Sequence, residues 1–235
     1  MAVSGDIIAV RIAEWGLIMK TFFNKYKHIW VFLYAPIYMI WFVALEQRTG
    51  VTYNYIHCGL DDLIPFCEYF IIPYLLWFAY VGGTVVILFT DTEHKSDFYH
   101  YYGTLVAGMT MALLIYTVWP NAQGLRPTTF AHDNIFTRLI VTLYHTDTST
   151  NVCPSLHVYN SLVTHMAICK CHYFKEKKWV QRISLVLCIL IILATVFLKQ
   201  HSCIDGIASV IMFYVFYRLI WREKEASLSP QVKKA

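Results

Sequence analysis

Six apolar stretches, each nearly free of charged residues, constrain this chain more than any other feature. They run from Ile29 to Leu45, Tyr69 to Thr90, Tyr101 to Trp119, Pro154 to Lys170, Ile183 to Leu198 and Cys203 to Trp221. About 20 mostly apolar residues cross a bilayer as a helix, and a stretch in lipid must satisfy its backbone polar groups internally. The expected fold is therefore an all-α integral membrane protein, a bundle of six transmembrane helices. Composition agrees: 57% of the 235 residues are apolar, 14% are charged and mean hydropathy is +0.48. Seventeen Tyr, fifteen Phe and seven Trp suit membrane interfaces better than a nucleic-acid surface, for which a net charge of +4 is also small. Seven Cys, an odd number spread over this length, do not make a disulfide framework, although Cys58 and Cys67 share one loop and are candidates for a single bridge.

The fourth stretch carries Ser155, His157, Ser161, Thr164 and His165 and is expected to face the interior of the bundle, not lipid. Before the first stretch, Arg11, Glu14, Lys20, Lys25 and Lys27 among apolar residues predict an interfacial amphipathic helix. With the N-terminus inside, fifteen of the nineteen basic residues fall on the inner segments, leaving Arg48, Arg126, Arg138 and Lys199 outside. The positive-inside rule then predicts both termini in the cytoplasm. One membrane-embedded domain over residues 1–222, followed by a basic tail over 223–235, is expected; no repeat or linker interrupts it. The chain has no Asn-x-Ser/Thr sequon, which is compatible with a bacterial plasma membrane.

Three polar segments close the third, open the fourth and follow the fifth stretch, so all three fall on the outer side and can meet. They are Gly124-Leu125-Arg126-Pro127, Asn151-Val152-Cys153-Pro154-Ser155-Leu156-His157 and Lys199-Gln200-His201-Ser202-Cys203-Ile204-Asp205. His201 and Asp205 are four apart and share a helix face, so the carboxylate can fix one ring nitrogen and leave the other as a nucleophile. Pro154 and Ser155 open a helix whose unpaired N–H groups favour an anion, with His157 one turn in. Arg126 offers a planar fork for phosphate, and Lys199 is close to His201 in sequence. Two imidazoles, an orienting carboxylate and an anion cradle describe phosphoryl transfer through a phosphohistidine.

The Arg-Pro, Pro-Ser-x-His and His-x3-Asp elements, in this order on these stretches, resemble those of the type 2 phosphatidic acid phosphatase superfamily. That superfamily includes lipid phosphatases and sphingolipid head-group transferases. The resemblance covers Trp119 to Asp205 by motif and implies His201 as nucleophile, Asp205 as its partner and His157 as general acid. It implies Ser155 and Arg126 as phosphate ligands. The family commonly carries Lys where this chain has Trp119, and Ser-Arg where it has Ala194 and Thr195; Lys199 is the candidate replacement for a missing cation. The implied function is a metal-independent membrane lipid phosphatase acting on a lipid phosphate or diphosphate, with no cofactor. The alternative is a phosphotransferase moving a phospho-head-group to an alcohol, and a non-catalytic channel or scramblase is the remaining one. The implied partners are the lipid substrate and surrounding membrane lipids, not nucleic acid.

The remaining histidines and cysteines have simpler expected roles. His165 and His172 are expected to pack helices together, and Cys153 and Cys203 to fill space beside the site. A zinc site formed by His145, His157, His201 and Asp205 lacks a recognised spacing, since no His-Glu-x-x-His is present.

Overall fold

The computed structural model describes Arg11, Trp15 and residues 31–228, the side chains of 223–228 excepted. The expected interfacial helix before residue 29 lies outside the described residues, as does most of the tail after Leu228. Two compact units are distinguished, Met1–Tyr38 and Met39–Ala235; the first helix begins in the first unit, and the contacts described below lie within the second.

The molecule is mainly helical. In chain order come α1 (Tyr34–Glu46), strand β1 (Asn54–Tyr55), α2 (Gly59–Leu63), α3 (Ile71–Thr90), α4 (Lys95–Val118), strand β2 (Asn121–Ala122), α5 (Ile135–Thr146), α6 (Leu156–Lys170), α7 (Lys178–Phe197) and α8 (Cys203–Leu228). Among the described residues four segments are long and apolar enough to cross a membrane: Glu68–Thr90, Lys95–Val118, Lys178–Phe197 and Cys203–Arg222. The first expected span falls on a shorter apolar helix, Val31–Glu46, and the fourth on the fifteen residues of α6.

α6 is short because it sits inside the protein. It packs against α3, α4, α7 and α8, and Val158, Tyr159, Val163, Met166, Ala167 and Ile168 are buried. Asn160, Ser161 and Thr164 are buried too, and several polar side chains of the helix find partners. Tyr101 Oη and Thr164 Oγ1 are 2.9 Å apart, and Thr164 Oγ1 donates to the Asn160 carbonyl at 2.7 Å. His165 Nδ1 lies 2.9 Å from Ser184 Oγ, which also meets Tyr80 Oη at 2.6 Å and links α6, α7 and α3. Where lipid offers no competing solvent, such side-chain bonds and close packing join helices. The outward faces are apolar: Ile72, Leu76 and Phe78 on α3, Ile183, Val186 and Ile189 on α7, and Ile207, Ile211 and Leu219 on α8 are exposed. So much exposed apolar surface is a membrane-facing feature.

The loops at one end are tied to one another. β1 and β2 pair in parallel, Asn54 with Asn121 and Tyr55 with Ala122, and Thr150 bridges Ala122 from the other side. This places the loops after α1, α4 and α5 side by side. α5, an element without a counterpart among the expected spans, starts at Asn134. The Asn134 carboxamide accepts from Phe136 N and Thr137 N, while Thr137 Oγ1 accepts from Asn134 N. Cys58 and Cys67 are both free thiols.

One contact makes the α4–α6 packing testable. A Cβ built on Gly108 would strike the Tyr159 ring, whose hydroxyl donates to the Thr104 carbonyl at 2.7 Å. On the same helix a Cβ on Gly103 meets nothing within 4 Å. Gly108→Ala should lower stability by roughly 1–3 kcal/mol through overpacking. Gly103→Ala should be neutral or stabilising by up to about 1 kcal/mol. Thermal unfolding in detergent separates the two, and equal effects would contradict the close approach.

Candidate active site

The polar end of the molecule is built outward from Asn121, which is fully buried. Its Oδ1 accepts from Val152 N and Cys153 N, both at 2.8 Å, and its Nδ2 donates to the Cys153 carbonyl at 3.1 Å. The segment leading into α6 is thereby fixed to the end of α4. Tyr116 Oη adds a bond to the Pro154 carbonyl at 2.5 Å. Ser155 then caps α6, its Oγ accepting from Val158 N at 3.5 Å. It is fully buried, and Ser209 Oγ of α8 donates to its carbonyl at 2.9 Å.

The turn from α7 to α8 delivers the other histidine. The Thr195 carbonyl accepts from both Gln200 N and His201 N, and Lys199 takes a positive φ of 54°, so the chain reverses within a few residues. His201 Nδ1 faces Asp205 Oδ2 at 3.3 Å, and Ser202 N donates to the same oxygen at 2.9 Å. Asp205 is fully buried while His201 keeps 10% of its side chain exposed. Fixing Nδ1 leaves Nε2 as the nitrogen able to act on a ligand.

α6 and α8 bring His157 and His201 together, with ring centroids 6.0 Å apart. His157 is held by aromatic rings of α3: Tyr74 stacks on it at 4.4 Å and Trp77 lies at 4.5 Å. Tyr74 Oη donates to Asp147 Oδ2 at 2.7 Å, so the clamp is itself anchored. These α3 residues lie in a plain apolar stretch, and nothing in their spacing signals a role at the site.

Arg126 reaches the same end. Its Nη1 donates to the Tyr144 carbonyl at 3.0 Å, and its Nη2 to the carbonyls of Asp147 at 2.6 Å and Thr148 at 2.8 Å and to Gln200 Oε1 at 2.5 Å. The guanidinium also lies over the Tyr144 ring at 4.5 Å. Burial lowers its pKa from the ordinary value, and the charges of Asp147 and Glu46 oppose that fall. Arg126 thus carries a large share of the framework as well as a charge. Lys199, expected beside the histidines, is engaged elsewhere: its Nζ donates to the carbonyls of Asp61 at 2.6 Å and Ile64 at 2.5 Å.

Three framework residues were outside the motifs. Glu46 accepts from Thr148, Thr150 and Asn151. Arg48 Nη2 donates to Asn151 Oδ1 at 3.0 Å and to the Tyr116 carbonyl at 2.8 Å. Asp61, 3% exposed, accepts from Ser202 Oγ at 2.6 Å, Cys203 N at 2.8 Å and Cys58 N at 2.8 Å. Glu46 and Arg48 could have been flagged only by their charge next to a span end, and nothing around Asp61 in the sequence marks it.

Among the described residues, the potential metal-ligand group is Cys58, Asp61 and Cys203, whose ligand atoms lie within 4.8 Å of one another. Both Asp61 oxygens already serve as acceptors, which suits a cap on the start of α8 better than a metal ligand. Cys153 lies against the site with its thiol pushed up to about 12 by burial and by Asp205, which fits packing and not nucleophilic attack. No family model, no curated protein and no solved structure matches the chain.

Asp61 supplies a pH test of this framework. Burial alone would raise its pKa, but the hydrogen bonds from Ser202, Cys203 and Cys58 prevail and hold it at about 2, against 3.8 for a free side chain. A depressed carboxylate contributes stability above its unfolded value and loses it as pH falls through the folded one. Asp61→Asn should therefore destabilise by on the order of 2 kcal/mol near neutrality. The gap to the parent should close between about pH 4 and pH 2. Melting curves across that range check it; a gap independent of pH would contradict the assignment.

Proposed function

We propose that the chain is a multi-pass integral membrane lipid phosphatase that hydrolyses a lipid phosphate or diphosphate through a phosphohistidine. One observation carries it: the rings of His157 on α6 and His201 in the turn before α8 lie 6.0 Å apart, with His201 against a buried carboxylate and the half-buried Arg126 bonded to the adjoining Gln200. Ionisable groups at the end of membrane helices are costly to keep without a function.

In the proposed reaction His201 Nε2 attacks phosphorus, the P–N bond forms and the P–O bond to the lipid breaks. His157 donates its proton to the leaving oxygen. Water then attacks the phosphoimidazole, His157 accepts the water proton, and phosphate leaves with His201 restored. Asp205 holds the tautomer and balances the charge that His201 develops. Ser155 and Arg126 stand at the phosphate. No cofactor takes part.

The proposed topology is a six-helix bundle with an interfacial N-terminal helix, both termini cytoplasmic and the site on the outer face of a bacterial plasma membrane. In it α1 and α6 serve as the shorter first and fourth spans. Support comes from the distribution of basic residues and from the gathering of the loops after α1, α4 and α5 at the end that holds the histidines.

A second reading, transfer of a phospho-head-group to an alcohol instead of water, is favoured by a specific observation. Where the resembled family places cations this chain has Trp119, which is 41% exposed, and the buried, neutral Thr195. A site poor in cations suits a less highly charged phosphorus.

His201→Ala should lower turnover of the lipid substrate by several orders of magnitude without unfolding the protein, because the covalent step has no substitute. Asp205→Asn should be milder. Activity should survive EDTA and be inhibited by vanadate. Phosphate release from a lipid panel in detergent checks all of these; retention of more than about a tenth of the activity in His201→Ala would overturn the mechanism.

A further inference from the structure

Two cysteines that lie far apart in sequence are brought together at the polar end. Cys58 stands at the cap of α2, and Cys203 is the first residue of α8. The Asp61 carboxylate joins them: Cys58 N donates to its Oδ2 and Cys203 N to its Oδ1, each at 2.8 Å. Two backbone nitrogens on one carboxylate hold the two cysteine backbones side by side. Their side chains converge as well, since both sulfurs and an Asp61 oxygen lie within 4.8 Å of one another. The Asp61 oxygens are taken up by Ser202, Cys203 and Cys58, so the reactive groups left in this cluster are the two thiols.

This pair differs from the other cysteines. Both members are half-buried free thiols that a small molecule can reach, whereas Cys153, Cys171 and Cys188 are buried. Cys67, the partner that Cys58 is expected to find in its own loop, is not in the cluster; its N–H donates to the Phe197 carbonyl at 3.1 Å, at the end of α7. A disulfide needs two neighbouring backbones and sulfurs that can meet at about 2.05 Å. Rotation about the two Cα–Cβ bonds can close the gap between sulfurs that start within 4.8 Å.

We propose that Cys58 and Cys203 form a reversible disulfide that fastens α2 to the start of α8, made by exchange with a small-molecule disulfide of the glutathione kind. One cysteine gives up its proton and attacks a sulfur of the small disulfide; the new S–S bond forms, the old one breaks, and the departing thiolate takes up a proton. The second cysteine, as thiolate, attacks the protein-bound sulfur, forms the Cys58–Cys203 bond and expels the second small thiol. The cysteine pair loses two electrons, and the small disulfide is reduced to two thiols. The chemistry does not rest on the phosphatase reading; its occurrence in the cell draws on the proposed topology, which puts this end on the outer, oxidising side of the membrane. The bond bears on the site because Cys203 stands between His201 and Asp205.

The test uses the full chain in detergent, equilibrated in glutathione buffers from reduced to oxidised, quenched with iodoacetamide, digested and mapped by mass spectrometry. In oxidised buffer Cys58 and Cys203 should be recovered in one linked pair of peptides that dithiothreitol splits, while Cys67 stays alkylated. Recovery of Cys58 and Cys203 as separate alkylated or glutathione-bearing peptides, or of Cys58 linked to Cys67, overturns the proposal. The long loop closed by the bond removes freedom from the unfolded chain, so oxidation should raise the melting temperature by about 4 °C or more. Cys58→Ser and Cys203→Ala should each abolish both the linked pair and the rise, and Cys67→Ala should keep both. Under reducing conditions all three variants should melt close to the parent, which separates a lost bond from a lost fold. A linked pair that leaves the melting temperature unchanged overturns the fastening of α2 to α8. Failure to find lipid turnover leaves every one of these readouts as it is.

Discussion

The buried carboxamide of Asn121 is the interaction on which the rest of this end of the molecule depends. It satisfies two backbone N–H groups and one carbonyl of the segment before α6, in a place where water is excluded. An amide can donate and accept at once, which neither a carboxylate nor a hydroxyl on a single carbon can match over the same span. Through it the end of α4 sets the start of α6, and hence the height at which Ser155 and His157 stand. The strand pairing of Asn54 with Asn121 carries the same constraint to the loop after α1.

α6 illustrates how a polar helix is accommodated among apolar ones. It is enclosed by four longer helices; its hydroxyls bond back to their own turn or reach Tyr101 and the Thr104 carbonyl, and its His165 ring reaches Ser184. The surrounding helices present their apolar faces outward. A short helix suffices for α6 because protein, not lipid, surrounds it. The His157 ring then meets two large aromatic rings of α3, Tyr74 and Trp77.

A second set of contacts fixes the segments around His201. Asp61 joins the short α2 to the start of α8, and Lys199 returns a donor to carbonyls around α2. Arg126 ties the loop after α4 to the end of α5 and to Gln200. Buried Asp61 and half-buried Arg126 and Lys199 thus hold the segments around His201, and the relative position of the rings is set by framework as well as by the helices.

Much of the architecture was legible from residue order. Uncharged apolar runs specify membrane-crossing helices because lipid rejects unpaired polar groups, and four of the six runs fall on helices long and apolar enough to cross. The polar face of residues 154–170 announced an interior helix for the same reason. The i, i+4 spacing announced the His201–Asp205 pair. What order could not convey was which polar groups would meet across the chain. The engagement of Lys199 with the Asp61 and Ile64 carbonyls, the clamp of Tyr74 and Trp77 on His157, and the approach of Cys58 to Cys203 arise from contacts between residues far apart in sequence. Local periodicity records which face of an element is apolar; it holds no record of the partner that face or side chain will find, and only the tertiary structure decides that.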